Sequence, residues 1–316
     1  MTRKMTFVWI WLTACVFAAR AAASGTEGAA FLDIPAGGRP AALAGAYSAL
    51  ASDAYAPVWN PAGLGFIPGA QLAAMHADYD DIGGYEFASF VHPLGRGGLG
   101  VSAQYFHADR ASSLDLNGNQ LGTHSSYYGA YSLAYGYAFN EKLSLGAAAK
   151  LIDARLADAS ARTGAGDAGA LYRVNAKVTF AAVAANLGGK LKFLQQADEL
   201  PQNYRLGVHL APIAQLSLVQ ETVYDRTELL SGRFAAEWRP LDALAVRAGY
   251  RTDTARRLSA LGGLTTGVGL KVWGQRFDYA WLPMGDLGQT QYFSLVLTFG
   301  PSKTAPTVGW TNLGSS

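Results

Sequence analysis

The sequence predicts an all-β fold: a 14-stranded antiparallel transmembrane barrel with a short N-terminal luminal hatch segment that contains a small helix. Three observations predict it. From about residue 69 onward, apolar and polar residues alternate with a period of two. The alternating segments number about fourteen and run about ten to twelve residues, the length that crosses a bilayer at a tilt rather than the roughly 5–6 of soluble sheets. An export leader precedes them, and no uncharged apolar run after it reaches the roughly 18 residues of a membrane helix.

The leader occupies residues 1–23. Arg3 and Lys4 give a positive start, Met5 to Ala19 form an apolar stretch, and Ala21-Ala22-Ala23 offers a small-residue cleavage site before Ser24. Leu12-Thr13-Ala14-Cys15 also fits a lipoprotein cleavage box that would acylate Cys15, but the apolar run continues past the cysteine. With ordinary cleavage the only cysteine is lost, which excludes disulfides and thiolate chemistry in the mature chain.

Residues 24–68 form the hatch. The Ala-rich stretch 39–51 suits a short helix, with Pro40 in its first turn where the missing amide hydrogen is harmless. Then comes "ASDAYAPVWNPAGLGF" (51–66), a stretch too irregular for a long helix or strand. Its marked residues are Asp53, Trp59, Asn60, Pro61, Ala62 and Gly63, with Asn60 held extended ahead of the proline. A 14-stranded barrel is wider than the eight-stranded kind that side chains alone fill, so this small-residue segment is placed inside it.

Residues 69–299 form the barrel. Alternate connections are tight, as at 93–98, 140–142, 174–177, 211–215, 239–243 and 272–275. The others are longer or more polar: 109–122, 157–164, 188–201, 226–230 and 253–260. Short turns on one side and long loops on the other mark an outer-membrane barrel with its turns in the periplasm. Residues 300–316 are read as a periplasmic tail.

Alternation assigns the charges to one side. Arg233 and Glu237 oppose Phe234, Ala236 and Trp238; Arg247 opposes Leu244, Val246 and Tyr250. Arg276 and Asp278 oppose Phe277, Tyr279 and Trp281; Arg205 opposes Tyr204, Leu206 and Val208. A mid-membrane Arg or Lys on the lipid face costs about 2–4 kcal/mol, so these six charges are expected to face the lumen. There they pair with one another, with hatch acids such as Asp33 and Asp53, and with water, or else line a polar conduit. Outward tyrosines such as Tyr131 and Tyr135 are read as lipid-facing.

Composition bounds the rest. Half of the chain is apolar and 15% is charged, against roughly 25% in a typical soluble domain, yet mean hydropathy is only +0.09. A net charge of +2 without a basic block argues against nucleic acid. The five histidines show no metal-ligand spacing, and neither a zinc-protease nor a nucleophile-elbow motif occurs. "GRGGLG" (95–100) lies between two strands and reads as a tight turn, not a dinucleotide site. No cofactor, metal or enzymatic activity is expected.

Several segments together resemble the PorV/PorQ family of outer-membrane proteins, a branch of the FadL-like barrels. They are the N-terminal run from Phe31-Leu32 through Arg39–Gly45 and Asp53 to Asn60-Pro61-Ala62-Gly63-Leu64, then "GDAGALYR" (166–173), "LPQNYRLGV" (200–208), "AEWRPLDALAVRAGYR" (236–251) and "FDYAWLPMGDLGQTQYFSLVLTF" (277–299). The resemblance implies a 14-stranded barrel with its N-terminal segment in the lumen, in the cell outer membrane. It also implies a secretion-associated, non-enzymatic role of type IX kind that handles exported proteins. The alternative it implies is a hatch-gated transporter of hydrophobic small molecules. Outer-membrane lipid is a partner in either case. The chain departs from the usual barrel ending by running on past Phe299.

Overall fold

A computed structural model of the chain describes residues 27–300, apart from 80–81, 115–119, 158, 194–195, 227–229, 258–260 and 285–287. The leader, Cys15 and the tail beyond residue 300 lie outside the described residues.

Fourteen antiparallel strands close into one barrel. In chain order they are β1 (Ala70–Tyr79), β2 (Gly83–Leu94), β3 (Gly97–Leu114), β4 (Gln120–Ala138), β5 (Leu143–Leu156), β6 (Ala159–Asn175) and β7 (Val178–Gly188). After a separate hairpin of β8 (Lys190–Phe193) and β9 (Gln196–Glu199) follow β10 (Asn203–Ile213), β11 (Leu216–Asp225), β12 (Leu230–Leu241) and β13 (Leu244–Arg251). The wall ends with β14 (Leu264–Val272), β15 (Gln275–Pro283) and β16 (Gln289–Phe299). Neighbours in sequence are neighbours in space, β10 pairs with β7 past the hairpin, and β1 pairs with β16 from Ala70↔Phe299 to Tyr79↔Thr290. Closure leaves the barrel itself without a free edge strand.

The alternation sorts the two faces. On β16, Tyr292, Ser294 and Val296 are buried inside, while Phe293 and Phe299 are about half exposed outside. On β10, Leu206 is 63% exposed and Arg205 only 7%. The wall therefore turns large apolar side chains outward and charges inward, the reverse of a soluble protein. Among the described residues no helix is long and apolar enough to cross a membrane.

Four connections differ from expectation. The sequence suggests loops at 109–122 and 157–164, but β3 runs to Leu114, β4 starts at Gln120, and β6 starts at Ala159. β4 and β5, at 19 and 14 residues, lie close to the 123–139 and 142–156 that alternation gives, whereas β3 and β6 are 18 and 17 residues long and outrun the 97–108 and 165–174 that it gives. Their outer thirds are rich in Ser, Gly, Thr and charge, a loop-like composition; mutual ladder bonding carries them on as strands beyond the barrel rim. Likewise the 188–201 connection holds the β8–β9 hairpin, and the 253–260 connection begins in a helix, Thr252–Arg257.

The barrel has a turn rim, where β1 begins and β16 ends, and a loop rim opposite. Residues 27–69 thread the lumen from one to the other. Gly28 N–H donates to Glu199 O of the hairpin at the loop rim (2.9 Å), and Gly69 leads into β1 at the turn rim. The helix here is shorter than the 39–51 the sequence suggested: α1 spans Gly38–Ala42 only. Ala44 and Gly45, at φ 56° and 71°, break it, and Gly45 N–H closes back on Pro40 O. The stretch after Asp53 is more regular than expected, with α2 at Ala56–Trp59 and a 3₁₀ turn at Pro61–Phe66. Tyr47, Tyr55, Leu43 and Leu64 of this segment are fully buried, each contributing about 1.5–3 kcal/mol of apolar burial.

Candidate functional site

The site is the contact between hatch and wall, and its first part is a seat built of glycines. Gly98 on β3 faces Gly136 on β4, which faces Gly146 on β5, which faces Gly169 on β6. The four make a flat row, and the 60–64 segment lies on it. A Cβ added at Gly136 would meet Pro61 O at 2.4 Å, at Gly146 the Pro61 carbonyl carbon at 2.3 Å, and at Gly169 Asn60 Oδ1 at 2.1 Å. Glycine inside a strand weakens it unless another backbone must come this close.

The hatch residues singled out from sequence each have a structural part. Asn60 caps the 3₁₀ turn by accepting from Ala62 N–H (3.1 Å) and donates to Ser48 O (3.0 Å) and Ala170 O of the wall (3.3 Å). Pro61 opens that turn, and Ser144 Oγ of β5 donates to Ala62 O (2.6 Å). Gly63 packs so tightly that a Cβ would lie 1.4 Å from Ala51 O. Trp59 donates its indole N–H to Ala36 O (2.9 Å), tying two parts of the hatch together.

The second part is a closed ring of alternating charge. Arg39 of the hatch gives two hydrogen bonds to Glu237, at 2.8 and 2.9 Å. Arg247 donates to Glu237 (2.7 Å) and to Asp278 (2.8 Å). Arg276 donates to Asp278 (2.8 Å) and reaches back to Asp53 of the hatch (3.1 Å). Asp53 accepts from Tyr47 Oη (2.6 Å) and lies 3.8 Å from Arg39, which closes the ring. Hatch and wall are thus clamped at two points by ion pairs of low exposure.

Sequence reasoning named Glu237, Arg247, Arg276, Asp278 and Asp53, but not Arg39 as their partner, nor Gly269. Arg247 and Asp278 stand on β13 and β15 and meet across β14 at Gly269, where a Cβ would lie 2.5 Å from the Arg247 guanidinium. Also missed was Glu221 of β11, fully buried, which accepts from both the backbone N–H (2.9 Å) and Oγ of Ser48. A buried carboxylate amid apolar alternation was the available signal.

Arg205 and Arg233 stand apart from the ring, nearer the loop rim. They border a cavity of about 40 Å³ together with Asp33, Trp59, Gln104, Lys150 and Asn203. Other charges there are paired: Lys150 with Asp167 at 2.8 Å, Arg251 with Asp253 at 2.7 Å. Burial raises the Asp253 carboxyl, but the Arg251 guanidinium outweighs it and holds the group well below the usual carboxylate range. Among the described residues no cluster of three or more His, Cys, Asp or Glu could hold a metal ion.

The model of an uncharacterised protein family, UPF0164, matches residues 14–199. No curated protein matches the chain. Among solved structures the barrel is similar to the CymD monoaromatic hydrocarbon channel, with TM-score 0.60, 14% identity, and coverage of 84% of this chain and 98% of that one. It is also similar to a FadL homologue of Pseudomonas aeruginosa (TM-score 0.54, 13% identity, 83% and 98% covered). The toluene transporter TodX of Pseudomonas putida is a third (0.52, 13%, 77% and 91%). At these identities the likeness is one of fold, a FadL-like barrel.

Proposed function

We propose that this chain, which belongs to the uncharacterised protein family UPF0164, is an outer-membrane transporter that passes small hydrophobic molecules under control of its luminal hatch. One observation carries this reading. The lumen is stoppered by the chain's own N-terminal segment, fastened to the wall by side chains and not by strand pairing. Such a plug can shift without opening the wall. The apolar outer face suits a bilayer, and the turn rim would then face the periplasm. Solved proteins of this fold include a monoaromatic hydrocarbon channel and a toluene transporter, which suggest the substrate class. No enzymatic step is part of the reading.

A second reading follows from the PorV/PorQ resemblance, and the glycine seat favours it. A hatch packed this closely suits a fixed plug, with the barrel handling exported proteins at its loop rim. One experiment separates the two. A Cβ at Gly38 would lie 3.0 Å from Ser294 Oγ, near enough for Gly38→Cys with Ser294→Cys to form a disulfide between hatch and wall. In cells producing the protein in an outer membrane, toluene uptake should exceed the empty-vector rate several-fold. Oxidation of the double variant should abolish the excess and reductant should restore it. Uptake at the empty-vector rate would overturn the transporter, and co-purification of exported proteins would then support the second reading.

A further inference from the structure

Two guanidinium groups on the inner wall have no carboxylate within ion-pair distance among the described residues, although Glu221 stands opposite Arg233 in the strand register. Arg205 is 7% exposed and Arg233 8%, and neither forms an ion pair among the described residues. Arg233 donates to Gly45 O of the hatch at 3.3 Å; Arg205 lies over the Trp59 ring, 5.6 Å from its centroid. The Nε of each is buried without a hydrogen-bond partner among the described residues. Both line the cavity of about 40 Å³, with Lys150 at its edge. Asp33 borders it too and accepts from Asn203 Nδ2 at 3.5 Å, and since Lys150 is neutralised by Asp167 the lining sets two guanidinium groups against one carboxylate.

Burying a charge without a close partner costs several kcal/mol, and here two guanidinium groups share one small space with a single carboxylate, Asp33. A water needs roughly 10–15 Å³ of such space, so the cavity has room for about three waters or one small oxyanion. A guanidinium presents its donors in a planar fork that matches carboxylate or phosphate oxygens in pairs. We propose that this cavity is a binding site for a small oxyanion, a carboxylate or a phosphate, held between Arg205 and Arg233. The Trp59 face orients one fork and Gly45 O the other. Because the arginines belong to the wall and their supports to the hatch, a bound anion braces one against the other. The site does not depend on which molecules the barrel passes.

Calorimetric titration of the full-length folded protein in phosphate-free detergent tests this, using inorganic phosphate, acetate and hexyl phosphate as probes. Saturable millimolar or tighter binding of phosphate or acetate is expected. Arg205→Gln and Arg233→Gln should each weaken it by about tenfold or more, the scale of one lost charged hydrogen bond, while Arg239→Gln at the turn rim leaves it unchanged. Equal affinity for phosphate and hexyl phosphate means that the anion enters free; tighter hexyl phosphate means that it arrives as a headgroup, and both support the site. No saturable binding to wild type, or undiminished binding in both glutamine variants, overturns it. Retained heat-modifiable migration on gels certifies each variant as folded. Should a glutamine variant fail that check, Arg205→Lys keeps the charge, loses the fork, and should still weaken phosphate binding several-fold.

Discussion

Glu237 accepts hydrogen bonds from two guanidinium groups at once, one on the hatch and one on the neighbouring strand, and is 2% exposed. Neither Arg39 nor Arg247 can turn to water without leaving the ring. Glu237→Gln keeps the shape and removes the charge, so it strands positive charge inside. Breaking a buried pair by removing one partner costs about 3–5 kcal/mol, and the loss should fall in that range. The urea midpoint of the vesicle-embedded protein is the measurement, and a change of less than about 1 kcal/mol would mean that luminal water already screens the ring.

The glycine row is a property of four strands together. A side chain anywhere along it pushes on Pro61 or its neighbours, not on the wall. Gly136→Val should therefore leave the barrel closed while displacing the 3₁₀ turn at Pro61–Phe66. The folded gel mobility should persist and the hatch should become cleavable by added protease; a hatch that stays protected would refute the seat. The same scale shows what was legible in the sequence. Each strand announces itself by alternation, since Phe293 must meet a different medium from Tyr292. Alternation gives a side of the wall and nothing about which charges meet. Gly98, Gly136, Gly146 and Gly169 become neighbours only through register, which no single segment encodes. Arg39 was hidden for the same reason: its partner is 198 residues away. β3 and β6 run longer than alternation suggests because polar composition outside the apolar band looks like loop when the partner strand is not in view.

At the scale of the whole molecule, the outer wall and the lumen exchange the usual places of oil and water, and this is testable without reference to any ligand. Leu133 lies on the outer face of β4, 55% exposed and five residues from the strand's end at the turn rim. An apolar band about 25 Å tall, spanned by tilted strands, places that residue near mid-membrane. Ser125 shares the same face, eight residues nearer the loop rim, where β4 has climbed beyond the band. Leu133→Arg should then cost about 2–4 kcal/mol and Ser125→Arg about 0–1, although both sites are exposed and both changes add the same charge. Only a surrounding hydrocarbon layer distinguishes them, because in water an exposed Leu→Arg change is close to neutral at any height. Urea unfolding from lipid vesicles reads the difference. Equal costs at the two positions would mean that no bilayer surrounds the wall, whereas a cost that falls from Leu133 to Ser125 places the hydrocarbon layer around the band that holds Leu133.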